Sequence, residues 1–262
     1  MNYVYRAIDH SSSLSHHGIK GQKWGVRNGP PYPIEDKVMK KGTVLRSVSG
    51  KYLSGQSYKR ANHPIYTYNA NDEWDRKVYT GPFAYFDVMY RGAQFVAEHE
   101  FETARDLKMP TSKERIDEFK DLYNDKKFNK KAIKEMKSIQ TLMKKQNIDK
   151  PEVQNLNLNK LQTEEDYKNA YKIFNHAMEA AHRYKSTTEY MKRMSSKYDA
   201  MVDDNNVNVY NAAHDPVIIF KTNDLIERNG GYPVSMLNVN TIVNNVDEVR
   251  KEMKKMGRNV SF

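Results

Sequence analysis

Carboxylates and histidines are the first side chains to consider for chemistry in this chain, because it contains no cysteine. The absence of cysteine excludes disulfides, thiolate metal sites and cysteine nucleophiles, and it is typical of proteins in a reducing compartment. Glu98, Glu100 and Glu102 recur at a period of two, which favours a strand. The sequence reveals no partner for His63 or His99, so neither is assigned a chemical role.

The first 36 residues have no helical or strand periodicity. Glycines at positions 18, 21, 25 and 29 are followed by prolines at 30, 31 and 33, and this composition opposes regular structure. A phosphate loop is excluded because no Gly-Lys-Ser/Thr closes the pattern. His10, His16 and His17 could hold a metal ion, but no acidic or thiolate partner is near them. Residues 1–36 are therefore predicted to be a flexible basic tag with Trp24 as its anchor.

The charge of the chain favours polyanions. The formal net charge is +10 and the pI is about 9.4, a field that attracts nucleic acids, anionic membranes and acidic proteins. The segment 126–145 holds eight lysines and a single acid, Glu135. Two interpretations stay open for it, a solvated helix face or a polyanion-binding face.

No membrane-spanning segment is expected. The longest apolar run, Pro216–Phe220, has the length of a strand, whereas a membrane span needs roughly 20 apolar residues. The N-terminus Met1–Arg6 lacks the apolar core of a secretory signal. We therefore expect a cytoplasmic protein.

Strands, then helices, then strands follow one another along the chain. Residues 37–110 indicate strands at 42–49, 64–68 and from Ala97 onward, and they include the aromatic run 78–86, which Gly81-Pro82 interrupts. Residues 111–200 indicate helices, capped at Thr111 and Thr163. Strands return at 198–205 and 214–220, and an amphipathic helix is expected at about 241–256. This order predicts an α+β fold with a helical insertion.

A short string near the N-terminus resembles a known motif. The string from His17 to Arg27 reads HGIKGQKWGVR and resembles an N-terminal motif of phage and mobile-element proteins from Gram-positive bacteria. Such proteins are often encoded among head genes. The resemblance implies a phage origin and contact with phage head components through residues 17–27.

The order of elements in residues 40–240 resembles the ADP-ribosyltransferase fold. The residues that carry the resemblance are Val44-Leu-Arg46, Tyr198-Asp-Ala-Met-Val-Asp203 and Val217-Ile-Ile-Phe220. It implies a split antiparallel β core spanning 37–262, with a large helical lobe at 111–197. It also implies cleavage of NAD, the co-substrate, between nicotinamide and ribose.

The resemblance implies a role for four residues. Arg46 would hold the dinucleotide, and Thr67 and Tyr68 would occupy the second-strand hydroxyl and aromatic positions, with Tyr68 stacking on nicotinamide as part of the catalytic site. Asp215 would support the oxocarbenium-like state. The chain departs from the family pattern because no Ser-Thr-Ser follows the first strand and no Glu-x-Glu precedes the last one. The pair Glu100-Phe-Glu102 has the right spacing but lies earlier in the chain.

Two functions follow from these observations. The first is a phage-encoded mono-ADP-ribosyltransferase that transfers ADP-ribose from NAD to a host protein or nucleic acid. The alternative is a catalytically inactive protein on the same fold that binds nucleic acid or a host factor through the lysine-rich segment. Either protein would act in the bacterial host cytoplasm or be packaged in the virion.

Overall fold

The structure is a computed structural model that describes residues 34–35, 37–51, 64–89, 92–93, 95–145, 151–178, 185–203, 216–228 and 235–255. The predicted tag lies outside the described residues except at positions 34 and 35. The described residues form two compact units. We call Pro110–Tyr198 the helical unit and the described residues on either side of it the sheet unit. The predicted α+β class is confirmed.

The helices and strands succeed one another from the N-terminus in the following order. They are β1 (Ile34–Glu35), β2 (Val38–Met39), β3 (Val44–Lys51), β4 (Ile65–Asn69), α1 (Glu73–Val78), a π-helical turn (Tyr79–Phe83), α2 (Ala84–Met89), β5 (Phe95–Thr103), β6 (Leu107–Lys108), α3 (Ser112–Asn124), α4 (Asn129–Lys145), α5 (Pro151–Gln154), α6 (Glu164–Met178), α7 (Lys185–Lys197), β7 (Ala200–Val202), β8 (Val217–Ile219), a 3₁₀ turn (Thr222–Asp224), β9 (Leu225–Glu227), β10 (Ser235–Leu237) and α8 (Val239–Lys255).

The sheet unit is built on an antiparallel sheet in the order β10-β5-β3-β4-β8-β7, with β9 also paired to β5. The strands predicted at 42–49, at 64–68 and from Ala97 onward are confirmed as β3, β4 and β5. Because β3 pairs with β5 over eight residue positions, the alternation of side chains along both strands is in register. Polar residues far apart in sequence are therefore placed side by side.

The aromatic run 78–86 is helical, so its inclusion among the strands is wrong. Asp72 caps α1 by accepting a hydrogen bond from the Asp75 backbone N–H. The chain then passes through the π-helical turn, which contains Gly81-Pro82, into α2. Within this turn Tyr79 stacks on Phe83 at a centroid separation of 4.8 Å. The aromatic residues thus meet at helical spacing instead of alternating as in a strand.

Gly81 permits close contact between the π-helical turn and α8. A Cβ atom at this position would lie 2.9 Å from the backbone carbon and the Cβ of Asn245, and 3.0 Å from the backbone nitrogen of Val246. Real side chains do not reach such distances, so the packing of α8 here depends on glycine. The Asn245 amide also donates to the Thr80 hydroxyl at 2.9 Å.

The two faces of the central strands have different surroundings. One face carries Arg46 on β3 and Tyr68 on β4, which are direct cross-strand partners. Helices cover part of this face, where Tyr68 packs with residues of α1, the π-helical turn and α8. The opposite face carries Leu45, which is buried in a second apolar cluster with Met39, Leu107 and residues of β7 and β8.

The helical unit confirms the predicted helices and both predicted caps. Thr111 and Glu114 form a capping box at the start of α3, and the Thr163 hydroxyl accepts a hydrogen bond from the Asp166 backbone N–H. Tyr167, Tyr171 and Phe174 of α6 lie in the core. No helix in the described ranges is long and apolar enough to cross a lipid bilayer.

Candidate functional site

Arg46 and Glu100 form an ion pair at the centre of the sheet. They are direct cross-strand partners on β3 and β5, and the Arg46 Nε donates to Glu100 Oε2 at 3.1 Å. Their side chains are 20% and 17% exposed, so both reach solvent. The first-strand arginine that the sequence predicts as a dinucleotide holder is therefore adjacent to a carboxylate.

Arg228 brings a second guanidinium to the same carboxylate. Its NH1 donates to Glu100 Oε1 at 3.0 Å, and its Nε lies 4.0 Å from Glu102 Oε2. The side chains of Arg228 and Glu102 are 45% and 38% exposed. Two guanidinium groups therefore contact one partly exposed carboxylate, and guanidinium groups are donors suited to phosphate oxygens. We call Arg46, Glu100 and Arg228 the arginine–glutamate site.

A buried network lies beside this site on the same face. The Tyr68 hydroxyl donates to Glu98 Oε1 at 2.5 Å, and Arg76 donates to both oxygens of Glu98 at 3.0 Å. Burial and the neighbouring carboxylate raise the pKa of Tyr68. Burial alone would raise the pKa of Glu98, but the hydrogen bonds from Arg76 and Tyr68 and the charges of Arg76 and Arg46 outweigh burial and lower it. The network therefore keeps an ionised carboxylate inside the protein.

The structure places Tyr68 in the core. Its side chain is fully buried and its ring stacks on Tyr79 at a centroid separation of 4.7 Å. The sequence assigned this ring to stacking on nicotinamide, whereas the described contacts are with protein. We therefore treat Tyr68 as a residue that positions Glu98 and supports the adjacent arginine–glutamate site.

Of the other two predicted residues, the structure describes only Thr67. Thr67 is fully buried and its hydroxyl donates to the Val217 carbonyl at 3.0 Å, which ties β4 to β8. Asp215 lies outside the described residues, two positions before β8 begins. Among the predicted residues, the structure thus brings together Arg46 and Tyr68, which are cross-strand partners.

His99 has partners that the sequence did not reveal. On the face opposite Arg46, it contacts Ser49 at 3.0 Å and Glu227 at 3.2 Å. These residues are 50 and 128 positions away in sequence, so no local motif could indicate the contacts. The sequence signal for this placement is the period-two alternation around His99. It predicts that His99 lies on the opposite face of the strand from Glu98 and Glu100.

Within the described ranges no group of three or more histidine, cysteine, aspartate or glutamate residues is arranged to hold a metal ion. The N-terminal histidines at 10, 16 and 17 lie outside those ranges. No family model matches the sequence, and comparisons with curated proteins and with solved structures found no significant match. Function must therefore be inferred from the chain's own residues.

Proposed function

We propose that this chain is an ADP-ribosyltransferase-like protein that binds and cleaves NAD at the arginine–glutamate site. The observation that carries the proposal is the contact of Arg46 with Glu100 at 3.1 Å, on a face of the sheet where both side chains are partly exposed. This reaction requires an arginine that binds the phosphates of NAD and a carboxylate that stabilises the positive charge on the ribose.

The chemistry requires two different interactions with NAD. Arginine binds phosphate oxygens through two parallel hydrogen bonds, so Arg46 and Arg228 would hold the pyrophosphate. When the bond between ribose C1′ and the nicotinamide nitrogen breaks, nicotinamide leaves with the bonding electrons. The positive charge that develops on the ribose is stabilised by the Glu100 carboxylate. A nucleophile of the acceptor then bonds to C1′, and its proton passes to Glu100.

The proposal assigns the carboxylate role to Glu100, whereas the sequence assigned it to Asp215. Glu100 is the carboxylate that the structure places against the predicted NAD-holding arginine. Asp215 remains the alternative carboxylate, because the sequence places it directly before the strand that became β8. The proposal also retains a phage origin and a host protein or nucleic acid as the acceptor, supported by the resemblance at His17–Arg27.

The function is tested with NAD labelled in its ADP-ribose part. The purified chain is incubated with this NAD, alone and with bacterial lysate, and both transferred label and free nicotinamide are measured. Label on a macromolecule, or nicotinamide release by the purified chain, would support the proposal. Absence of both, in the presence and absence of lysate, would contradict it.

The helical unit supports a second candidate function, the binding of nucleic acid. The lysines at 126, 127, 130, 131, 134, 137 and 144 are all exposed. Lys130, Lys134 and Lys137 of α4 line a shallow open depression of about 490 Å³ together with Asn159. Lys137 Nζ donates a hydrogen bond to Asn159 Oδ1 at 2.8 Å. Within the described ranges none of the three lysines forms an ion pair with a carboxylate, so their charges are not neutralised and can attract phosphates. This observation favours the polyanion-binding interpretation of the lysine-rich segment.

Replacing Lys130, Lys134 and Lys137 together with alanine is expected to weaken binding to duplex DNA. If each lysine contacts one phosphate, the slope of log K against log salt concentration becomes less steep by about 2.7. Fluorescence anisotropy of a labelled duplex, titrated at several salt concentrations, measures this slope. All three residues are exposed, so the free energy of unfolding should change by less than about 0.5 kcal/mol for each.

A matched variant removes the same charge from a different place. Lys251, Lys254 and Lys255 on α8 are also exposed, and their replacement with alanine is expected to leave the salt dependence unchanged. An equal effect of both triple variants would show that net charge, and not the α4 surface, determines binding.

A further inference from the structure

Ser49, His99 and Glu227 lie in line on the face of the sheet opposite Arg46. Ser49 is on β3, His99 on β5 and Glu227 on β9, and β5 pairs with both other strands. Ser49 Oγ lies 3.0 Å from His99 Nε2, and His99 Nδ1 lies 3.2 Å from Glu227 Oε1. The serine and the glutamate therefore contact opposite ring nitrogens of one histidine.

The three side chains in this line differ in how far they are buried. The side chains of His99 and Glu227 are 1% and 3% exposed, whereas Ser49 is partly exposed. Neighbouring strands hold the two buried groups in the sheet. Ser49, at the end of the line, is the member that is partly exposed to solvent.

The direction of these hydrogen bonds is set by the Glu227 carboxylate. A carboxylate accepts hydrogen bonds and cannot donate them, so His99 Nδ1–H donates to Glu227. When the ring is neutral, Nε2 then carries a lone pair, and it accepts the hydrogen bond from the Ser49 hydroxyl. This arrangement makes His99 a base for the serine proton and Glu227 the group that fixes the tautomer and the ring orientation.

We propose that Ser49 is an activated nucleophile, with His99 as its general base and Glu227 as the positioning residue, and that it accepts an acyl group from a carboxylic ester. A serine, a histidine and an acid in this geometry recur on unrelated folds and are recognised by geometry and not by sequence order. The site is separate from the arginine–glutamate site because alternate residues of β3 and β5 point to opposite faces of the sheet. It does not depend on NAD binding.

The acyl transfer needs only the ester and water as reactants. Ser49 Oγ bonds to the ester carbonyl carbon, and its proton moves to His99 Nε2. The bond between that carbon and the alcohol oxygen then breaks, and the alcohol leaves with the proton. Water attacks the acyl-serine by the same route, which releases the carboxylic acid and restores the Ser49 hydroxyl.

A fluorophosphonate probe tests the nucleophile directly in the full chain. Attack by Ser49 forms a bond between its Oγ and phosphorus and expels fluoride, and peptide mass spectrometry identifies the modified residue. We expect one phosphonyl group per chain, on Ser49, and no labelling of Ser49→Ala. Removing the general base in His99→Gln is expected to slow labelling roughly 10²- to 10⁴-fold.

Three further variants distinguish an activated serine from a structural hydrogen bond. Ser47→Ala removes a hydroxyl on the same face, one that donates to the Tyr66 carbonyl, and it should label at the wild-type rate. Arg46→Ala should also label normally, even if the proposed NAD function is wrong. Glu227→Gln keeps the side-chain shape and should slow labelling while its circular dichroism spectrum stays native. Failure of the wild-type chain to label on Ser49, or labelling of folded Glu227→Gln and His99→Gln at the wild-type rate, would overturn the proposal.

Discussion

Replacing Glu100 with glutamine is expected to slow nicotinamide release from NAD by roughly 10²- to 10³-fold, the range for losing one preorganised group that stabilises charge in a transition state. Glutamine has almost the shape of glutamate, and its amide oxygen still accepts a hydrogen bond from Arg46 or Arg228. It lacks the negative charge that would stabilise the developing ribose cation. Single-turnover measurement of nicotinamide release gives the rate of this step.

Glu102→Gln is the matched control for this prediction. Glu102 lies two residues further along the same strand, its side chain is more exposed, and its nearest guanidinium atom is 4.0 Å away. We place it outside the arginine–glutamate site and expect its replacement to change the rate by less than about threefold, or roughly 0.6 kcal/mol. An equal loss in both variants would point to a general charge effect. If Asp215→Ala stopped the reaction while Glu100→Gln did not, the catalytic carboxylate would be Asp215, as the resemblance implies.

Glu98→Gln is expected to reduce the free energy of unfolding by about 2–3 kcal/mol. Removing one partner of a buried ion pair costs about 3–5 kcal/mol. We expect less here because the Arg76 side chain is 39% exposed and can regain water. Urea denaturation followed by circular dichroism measures the change. Asp247→Asn disrupts the exposed pair of Asp247 with Arg250 at 3.2 Å, and its expected cost is below about 0.5 kcal/mol.

The same substitution should change how stability depends on acid. The pKa of Glu98 is lower in the folded chain than its ordinary value of 4.5. Glu98 therefore contributes stability at pH values above 4.5, and this contribution is lost as the pH falls through the folded pKa. Wild-type protein should lose more stability below pH 4.5 than Glu98→Gln does. Parallel pH profiles for the two proteins would show that Glu98 is not the titrating group.

The sequence was sufficient to predict most elements and insufficient to predict their contacts. The β-branched residues of 42–49 and the cap at Thr111 are local signals, and both were interpreted correctly. The run 78–86 was misassigned because its helical state depends on packing against Tyr68 and α8, which are distant in sequence. Aromatic residues fit a strand or a buried helix equally well until that packing is known.

At the candidate site, too, the sequence predicts elements but not the contacts between them. Arg46 is predicted from its place in a strand that resembles the family's first strand. Glu100 is not among the predicted site residues, because the pair Glu100-Phe-Glu102 lies earlier in the chain than the family pattern requires. Their contact joins residues 54 positions apart and depends on the register of β3 against β5. A shift of that register by one residue would move His99 to the face of Arg46 and remove Glu100 from it. Sequence alone contains no local signal that selects one register.

The most direct test of the central claim is the equilibrium binding of NAD to Glu100→Gln, measured by calorimetry. This variant should hold NAD without cleaving it, because Arg46 is retained and the cation-stabilising charge is absent. Adding Arg46→Ala to this background should weaken binding at least tenfold, since a hydrogen bond to a charged group contributes about 1.5–3 kcal/mol. Adding Arg250→Ala, an exposed arginine on α8, should leave binding unchanged. If NAD does not bind to Glu100→Gln, or if it binds equally well with and without Arg46, then the arginine–glutamate site is not where this chain holds NAD.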